Sequence, residues 1–161
     1  MPNHVSHFDV FALLGYLNVQ FRWTAKKELF SIPLLGLAMR RAGYILVDRS
    51  RHDRAMASMR EAAHKISNGS SIVIFPEGTR SCDGNLLFPF KKGGFHLAID
   101  SGVPIVPITV LGSRDVLPKH GKRVKPGKII LNIGKPIDPG GHDVRSLMEE
   151  VYNSINLGYT L

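Results

Sequence analysis

Residues 72–81 have the sequence Ile-Val-Ile-Phe-Pro-Glu-Gly-Thr-Arg-Ser. The run begins with apolar, mostly β-branched residues, which are typical of a buried strand. A loop with a glycine, two hydroxyl side chains and an arginine follows. In open α/β sheets, ligands bind beyond the carboxyl ends of the strands. The segment therefore predicts a strand that leads into an anion-binding loop.

Similar strand-like runs alternate with helical patterns along the whole chain. The predicted strands are Val19–Trp23, Tyr44–Val47, Ser71–Phe75, Ile105–Val110 and Lys128–Ile133. The predicted helices are Phe8–Leu17, Leu34–Arg41, Asp53–Ile66, Gly93–Ser101 and His142–Ile155. This alternation predicts an α/β fold, with a mainly parallel central sheet flanked by helices in a single domain over residues 1–161. The segment Ser113–Gly127 has no period and is predicted to be an exposed loop.

Composition and charge restrict the class of protein further. The chain has 161 residues, 43% of them hydrophobic, and a net charge of +8. These values fit one folded domain, exclude a disordered chain and favour an anionic partner. The single cysteine, Cys82, excludes an internal disulfide bond and favours a reducing compartment. The apolar run Val10–Leu17 is about half the length that a membrane-spanning helix needs.

Residues 3–9, Asn-His-Val-Ser-His-Phe-Asp, contain a histidine and a carboxylate five positions apart. A carboxylate beside an imidazole fixes its tautomer and stabilises its protonated form, so His4 and Asp9 are candidates for general-base catalysis. Ser6 and Asp9 also have the spacing of a capping box at a helix start. The alternative is that Asp9 only caps the helix and His4 is an exposed loop residue.

The loop after the strand contains candidates for phosphate binding. Gly78 permits close approach of the backbone, Thr79 offers a hydroxyl group, and Arg80 offers a forked donor suited to phosphate. Glu77 is expected to orient Arg80 or a substrate hydroxyl. The alternative is a charged turn with a surface ion pair between Glu77 and Arg80.

Two other features suggest different classes of site. His4, His7 and Asp9 are conceivable metal ligands, but no second cluster completes the set, so no metal is predicted. The run 119–128 holds five Lys or Arg residues. It is either a solvated loop or a contact for anionic lipid headgroups or an acidic carrier protein. Nucleic acid is not expected as a partner, because basic and aromatic residues are not interleaved on one face.

The two motifs together resemble those of the glycerolipid acyltransferases, in particular the 1-acyl-sn-glycerol-3-phosphate acyltransferases. The motifs are Asn-His-x-Ser-x-x-Asp and Phe-Pro-Glu-Gly-Thr-Arg-Ser. Further blocks resemble those of the same family and follow its order: Lys27–Gly36, Gly43–Arg49, Phe90–Phe95 and Val103–Ile108. The resemblance covers residue 3 to about residue 110, and its motifs together are highly specific.

The resemblance implies transfer of an acyl group from a thioester of coenzyme A or acyl carrier protein to a phosphorylated glycerol such as lysophosphatidic acid. His4 would deprotonate the acceptor hydroxyl, and Asp9 would hold His4. The implied phosphate-binding residues are Glu77, Gly78, Thr79, Arg80 and, more weakly, Lys27. The family needs neither a metal nor a prosthetic group, so no cofactor is expected. The implied setting is phospholipid biosynthesis, in the cytoplasm and peripherally at the inner face of an anionic membrane.

One departure from the family pattern concerns the beginning of the chain. Family members have a strand leading into the histidine motif and membrane-seeking helices before it, whereas only Met1 and Pro2 precede Asn3. We therefore expect an N-terminally truncated domain without that strand, in which His4 frays. The alternatives to an active enzyme are a catalytically impaired lipid-phosphate-binding fragment and a basic nucleic-acid-binding module.

Overall fold

The computed structural model describes residues 1–47 and 52–160. The chain forms two compact units, the first made of Met1–Asn18 and the chain from Phe75 onward, the second of Val19–Ile74. The prediction of one domain over residues 1–161 stays a prediction. The predicted α/β composition is confirmed, since helices accompany a three-stranded parallel sheet in one unit and a two-stranded sheet in the other.

The second unit contains the parallel sheet. Its elements are β1 (Phe21–Lys26), α2 (Lys27–Phe30), α3 (Leu35–Arg41), β2 (Ile45–Val47), α4 (His52–Ser67) and β3 (Ser71–Val73). The strand order is β2-β1-β3, and both pairings are parallel. Thr24 lies opposite Ile45, and Phe21 lies opposite Ser71. The short helix α2 was not predicted, and Asp48 and Arg49 of the resembling block lie outside the described residues.

The first unit carries both sequence motifs. Its elements are α1 (Phe8–Tyr16), α5 (Gly93–Ser101), β4 (Ile108–Leu111), α6 (Ser113–Val116), β5 (Ile130–Ile133) and α7 (Val144–Leu157). Strands β4 and β5 pair antiparallel. The core packs one face of α7 against α5, with Phe95, Leu147, Val151 and Ile155 among its fully buried side chains. The helix that the sequence predicts over His142–Ile155 corresponds to α7.

The first three residues are fixed to β4, contrary to the expectation that His4 frays. Pro2 forms a parallel bridge with Ile108, in which Ile108 N–H donates to Met1 O (3.0 Å) and Asn3 N–H donates to Ile108 O (3.3 Å). Both bonds are made by main-chain groups of the residues on either side of Pro2. The N–H group that proline lacks is therefore not needed for this pairing. The buried Asn3 side chain extends the pairing, accepting from Val110 N (2.6 Å) and donating to Val110 O (3.1 Å). The backbone that carries His4 is therefore held in place.

The segment Ser113–Gly127 is not an exposed loop throughout. It begins with α6, in which Ser113 and Val116 are buried. Gly112 precedes the helix with a φ of 78°, and a Cβ atom there would lie 2.1 Å from Lys128 O. Only glycine fits this position. Any other residue would be strained at this positive φ, and its Cβ atom would clash with the Lys128 carbonyl. The tight turn at Gly112 brings Ser113 into the interior.

Membrane-spanning helices would have to be both long and strongly apolar. Within residues 1–47 and 52–160, no helix combines the length and the apolar character needed to cross a bilayer.

Candidate active site

His4 and Asp9 form a hydrogen-bonded pair. His4 Nδ1 lies 2.8 Å from Asp9 Oδ2, with the Asp9 side chain fully buried and 16% of the His4 side chain exposed. Asp9 Oδ2 also accepts from the main-chain N–H groups of Val5 (2.8 Å) and Ser6 (2.9 Å). Asp9 therefore binds both the main chain just before α1 and the imidazole, although His7 is the N-cap residue and the full capping box does not form. The alternative of a capping Asp9 beside an unpaired, exposed His4 is wrong.

The other oxygen of Asp9 is bound by a residue that the sequence did not reveal. The Ser113 hydroxyl, at the start of α6, donates a hydrogen bond to Asp9 Oδ1. Both residues are completely buried. Because each oxygen of the carboxylate accepts hydrogen bonds, Asp9 is held in one orientation towards His4.

Phe75 determines the plane of the His4 ring. The two rings stack with centroids 3.8 Å apart and an angle of 17° between their planes. Since an ionised Asp9 only accepts hydrogen bonds, it selects the tautomer with the proton on Nδ1, which leaves Nε2 as an acceptor. Within the described residues, Nε2 has no hydrogen-bond partner. The arrangement presents a basic nitrogen to a proton donor outside the protein.

Glu77 supports the backbone of His4. Its side chain is buried, and its oxygens accept from the N–H groups of His4 (2.5 Å) and Leu87 (3.0 Å). It was expected to orient Arg80 or a substrate group, but its observed partners belong to the main chain. The alternative of a surface ion pair with Arg80 is wrong, since only 4% of Glu77 is exposed. Burial raises the pKa of Glu77 to about 7, against the opposing effect of the two N–H groups.

The loop that follows Glu77 is fastened to the histidine segment. Ser81 N–H donates to His4 O (2.8 Å), and Gly78, with a φ of 72°, donates its N–H to Phe75 O (3.1 Å). The motifs that were predicted to act together are therefore joined by main-chain hydrogen bonds. Gly78 takes the left-handed conformation that glycine adopts without strain. Thr79 is exposed at the tip of the loop.

Arg80 links this loop to the basic segment beyond α6. Its Nη1 donates to Lys119 O (3.2 Å), and Lys119 Nζ donates to Arg80 O (2.6 Å). The guanidinium is half-buried. Burial, and after it the charge of Arg80, lowers the pKa of His7, so this cation acts on the histidine segment at short range. The charge of Arg80 thus acts on the segment that carries His4.

Most of the predicted site residues belong to one of the two units. His4, Asp9, Glu77, Gly78, Thr79 and Arg80 belong to the first unit. Lys27 begins α2 in the second unit. In the part of the chain that the structure describes, no three His, Cys, Asp or Glu side chains group as ligands for a metal ion.

Comparisons with known proteins identify the family. The family model described as Acyltransferase matches residues 1–111. A 1-acyl-sn-glycerol-3-phosphate acyltransferase of Limnanthes alba is 42% identical over 139 residues, which are 86% of this chain and 49% of the relative. The corresponding alpha enzyme of Mus musculus is 35% identical over 160 residues, covering 96% of this chain and 56% of the relative. The chain thus spans about half the length of these curated relatives.

A solved structure shows the same fold. The crystal structure of the 1-acyl-sn-glycerophosphate (LPA) acyltransferase PlsC from Thermotoga maritima superposes with a TM-score of 0.85 and 34% sequence identity. The match covers 98% of this chain and 62% of that protein. Because the family model spans more than half of the chain and includes both motifs, the chain belongs to the acyltransferase family.

Proposed function

We propose that this chain carries the catalytic centre of an O-acyltransferase that acylates a lysophosphatidic-acid-like glycerol phosphate in phospholipid synthesis. The observation that carries the proposal is the 2.8 Å bond between His4 Nδ1 and the buried Asp9, with Nε2 left as an acceptor. An acyl thioester of coenzyme A or of acyl carrier protein is the donor. No metal or prosthetic group takes part.

The chemistry follows from this pair. His4 Nε2 takes the proton of the acceptor hydroxyl while its oxygen attacks the thioester carbonyl, and Asp9 stabilises the imidazolium that forms. A C–O bond forms and the C–S bond breaks. The departing thiolate then takes the proton from His4, which returns the site to its starting state. The protein therefore supplies a base, His4, and the carboxylate of Asp9, which orients the imidazole and stabilises its charge.

The acceptor phosphate binds at the loop of Gly78, Thr79 and Arg80. Arg80 carries the positive charge, and its guanidinium geometry matches a phosphate better than a lysine would. The bond from Ser81 N–H to His4 O supports this role, because it ties the phosphate-binding loop to the base. The phosphate-binding role of Lys27, which belongs to the second unit, stays a prediction.

The proposed location of the protein is the inner, cytoplasmic face of a membrane, where it binds peripherally. The acceptor is a membrane lipid, and a net charge of +8 attracts the protein to an anionic surface.

The proposal is tested by thioester consumption with lysophosphatidic acid as the acceptor. We expect His4→Ala to lower turnover by about 10²- to 10⁴-fold, the usual contribution of a general base. His96→Ala is the matched control, because His96 is an exposed histidine on α5 away from the motif. Equal turnover of the His4 variant and the wild type would remove the base role.

A catalytically impaired fragment that binds lipid phosphate is the second candidate. It needs only the loop of Gly78, Thr79 and Arg80, whose Arg80 carries a charge suited to phosphate, without transfer at His4. Equilibrium binding of lysophosphatidic acid, weakened by Arg80→Ala, without thioester consumption by the wild-type chain would support it over the enzyme.

A further inference from the structure

Residues 29–37, which we call the leucine tip, expose a run of large apolar side chains. The tip lies in the second unit and comprises the end of α2, a turn and the start of α3. Five of its side chains are large, hydrophobic and 41–83% exposed: Leu29, Ile32, Leu34, Leu35 and Leu37. Single exposed leucines are ordinary on protein surfaces, whereas a cluster of them marks a contact surface.

Leu34 has a backbone conformation that a leucine adopts only with strain. Its φ is 63° and its ψ is −50°, and Leu35 N–H donates to Pro33 O (2.7 Å). These values describe a γ-turn of the rare, strained type. Glycine would fit this turn without strain, yet the residue present is a leucine that is 83% exposed. Strain that brings the folded chain so little packing in return points to a role of this side chain in binding.

The residues beneath the leucine tip give it a defined shape. Phe30 is buried, and a Cβ atom at Gly36 would lie 2.1 Å from Phe30 O, so α3 passes very close to the end of α2. Gly36 N–H also donates to Ile32 O (2.8 Å). The apolar side chains are therefore presented by a closely packed turn.

Cationic residues flank the leucine tip on both sides in sequence. Lys26 and Lys27 precede it and Arg40 and Arg41 follow it, whereas Glu28 is the only carboxylate over residues 26–41. The Arg40 guanidinium lies over the ring of the buried Phe30, 5.5 Å from its centroid. An apolar surface with cations at its ends matches a lipid bilayer, in which acyl chains lie beneath anionic headgroups.

We propose that the leucine tip inserts into an anionic lipid bilayer and is the contact through which the second unit binds the membrane. The inference rests on the proposed function, because it assigns a surface to the peripheral membrane binding proposed there. A second copy of the chain is the other occupant that an apolar patch could accept. Charge favours the bilayer, since two copies would bring like cations together, whereas anionic headgroups compensate them.

The test is co-sedimentation of the full chain with vesicles of phosphatidylcholine mixed with phosphatidylglycerol. We expect Leu34→Gly/Leu37→Ala to weaken binding about tenfold, because both leucines lose their burial among acyl chains. Glycine fits the γ-turn and alanine favours a helix, so the midpoint of urea unfolding should not fall. The matched control is Ile133→Ala/Leu157→Ala, at two positions of the first unit that are 59% and 62% exposed, and it should bind like the wild type.

Two further variants separate charge from insertion. Lys26→Ala/Arg41→Ala should weaken binding to the mixed vesicles and leave binding to pure phosphatidylcholine vesicles unchanged. In Leu35→Trp, lipids brominated on their acyl chains should quench the new tryptophan. Trp23 is only 5% exposed and provides the constant background that the wild type measures.

Several outcomes would overturn the inference. They are a wild-type chain that binds neither kind of vesicle, equal vesicle binding by the leucine variant and the wild type, an equal loss in the control variant, and an unquenched tryptophan at position 35. Unchanged vesicle binding together with loss of a dimer in analytical ultracentrifugation would assign the tip to a second copy. Vesicle binding needs no turnover, so a chain that inserts the tip but transfers no acyl group refutes only the proposed function.

Discussion

The hydroxyl group of Ser113 donates a hydrogen bond to Asp9 across 104 positions of sequence. This bond joins α6 to the start of α1 and completes the set of donors around the carboxylate that orients His4. Two loops that are remote in sequence thereby determine the geometry of one imidazole.

Removing that hydroxyl group should slow catalysis more than it weakens substrate binding. We expect Ser113→Ala to lower kcat about tenfold with little change in either KM, because a buried carboxylate loses a donor and the orientation of His4 loosens. The matched control is Ser101→Ala, since the buried Ser101 hydroxyl has no hydrogen-bond partner in the described structure. An unchanged kcat for the Ser113 variant would assign the bond to stability alone.

The Asn3 side chain should be important for stability. Asn3→Ala leaves the N–H and C=O groups of the buried Val110 without their side-chain partner, and it also removes a 2.8 Å bond to the Tyr159 hydroxyl. We expect the free energy of unfolding to fall by about 3 kcal/mol, measured by urea denaturation. Asn153→Ala, an exposed change on α7, should alter it by less than about 0.5 kcal/mol.

The buried Glu77 should make stability depend on pH. Its pKa rises from the ordinary value of 4.5 to about 7 in the folded chain, chiefly through burial. A raised folded-state pKa means that the stabilising contribution is complete below pH 4.5 and is lost as the pH rises through 7. The loss is on the order of 3 kcal/mol.

Glu77→Gln tests this dependence because it removes the titrating group. We expect the stability of the variant relative to the wild type to improve as the pH increases from about 4.5 to above 7. Denaturant unfolding of both proteins at several pH values measures the difference. A difference that is constant over this range would contradict the raised pKa of Glu77.

Arg80 should act on the acceptor and not on the donor. Arg80→Lys keeps the charge but loses the forked donor geometry, so we expect the KM for lysophosphatidic acid to rise about tenfold while the KM for the thioester stays constant. Monoacylglycerol, which has no phosphate, provides the control acceptor. If the variant lowers activity equally with both acceptors, Arg80 positions the loop and does not bind phosphate.

Local sequence signals predicted the elements that depend on local chemistry. The bounds of α5, Gly93–Ser101, agree with the prediction because Gly102 ends the helix in the left-handed conformation, with a φ of 63°. The bond between His4 and Asp9 could also be predicted from the sequence, because a carboxylate in the first turn of a helix can bind the residues just before that helix.

Contacts between distant parts of the chain could not be predicted in this way. Ser113 has no periodic neighbours to mark it as buried, and its partner Asp9 is remote in sequence. The pairing of Pro2 with Ile108 is also long-range, and a proline, which has no N–H group to donate, gives no local signal for it. The role of Glu77 was missed because its carboxylate oxygens bind main-chain N–H groups, which every residue except proline carries.

The main-chain bonds between the histidine segment and the arginine loop have a consequence for selectivity. His4 donates its N–H to Glu77, and its carbonyl oxygen accepts from Ser81 N–H, so the main chain ties the base to the loop of the proposed phosphate contact. We expect this main-chain link to limit the separation between the base and the phosphate contact that an acceptor must span. Alcohols with a longer or shorter spacer between hydroxyl and phosphate would bind in only one of the two places, whatever their acyl chain.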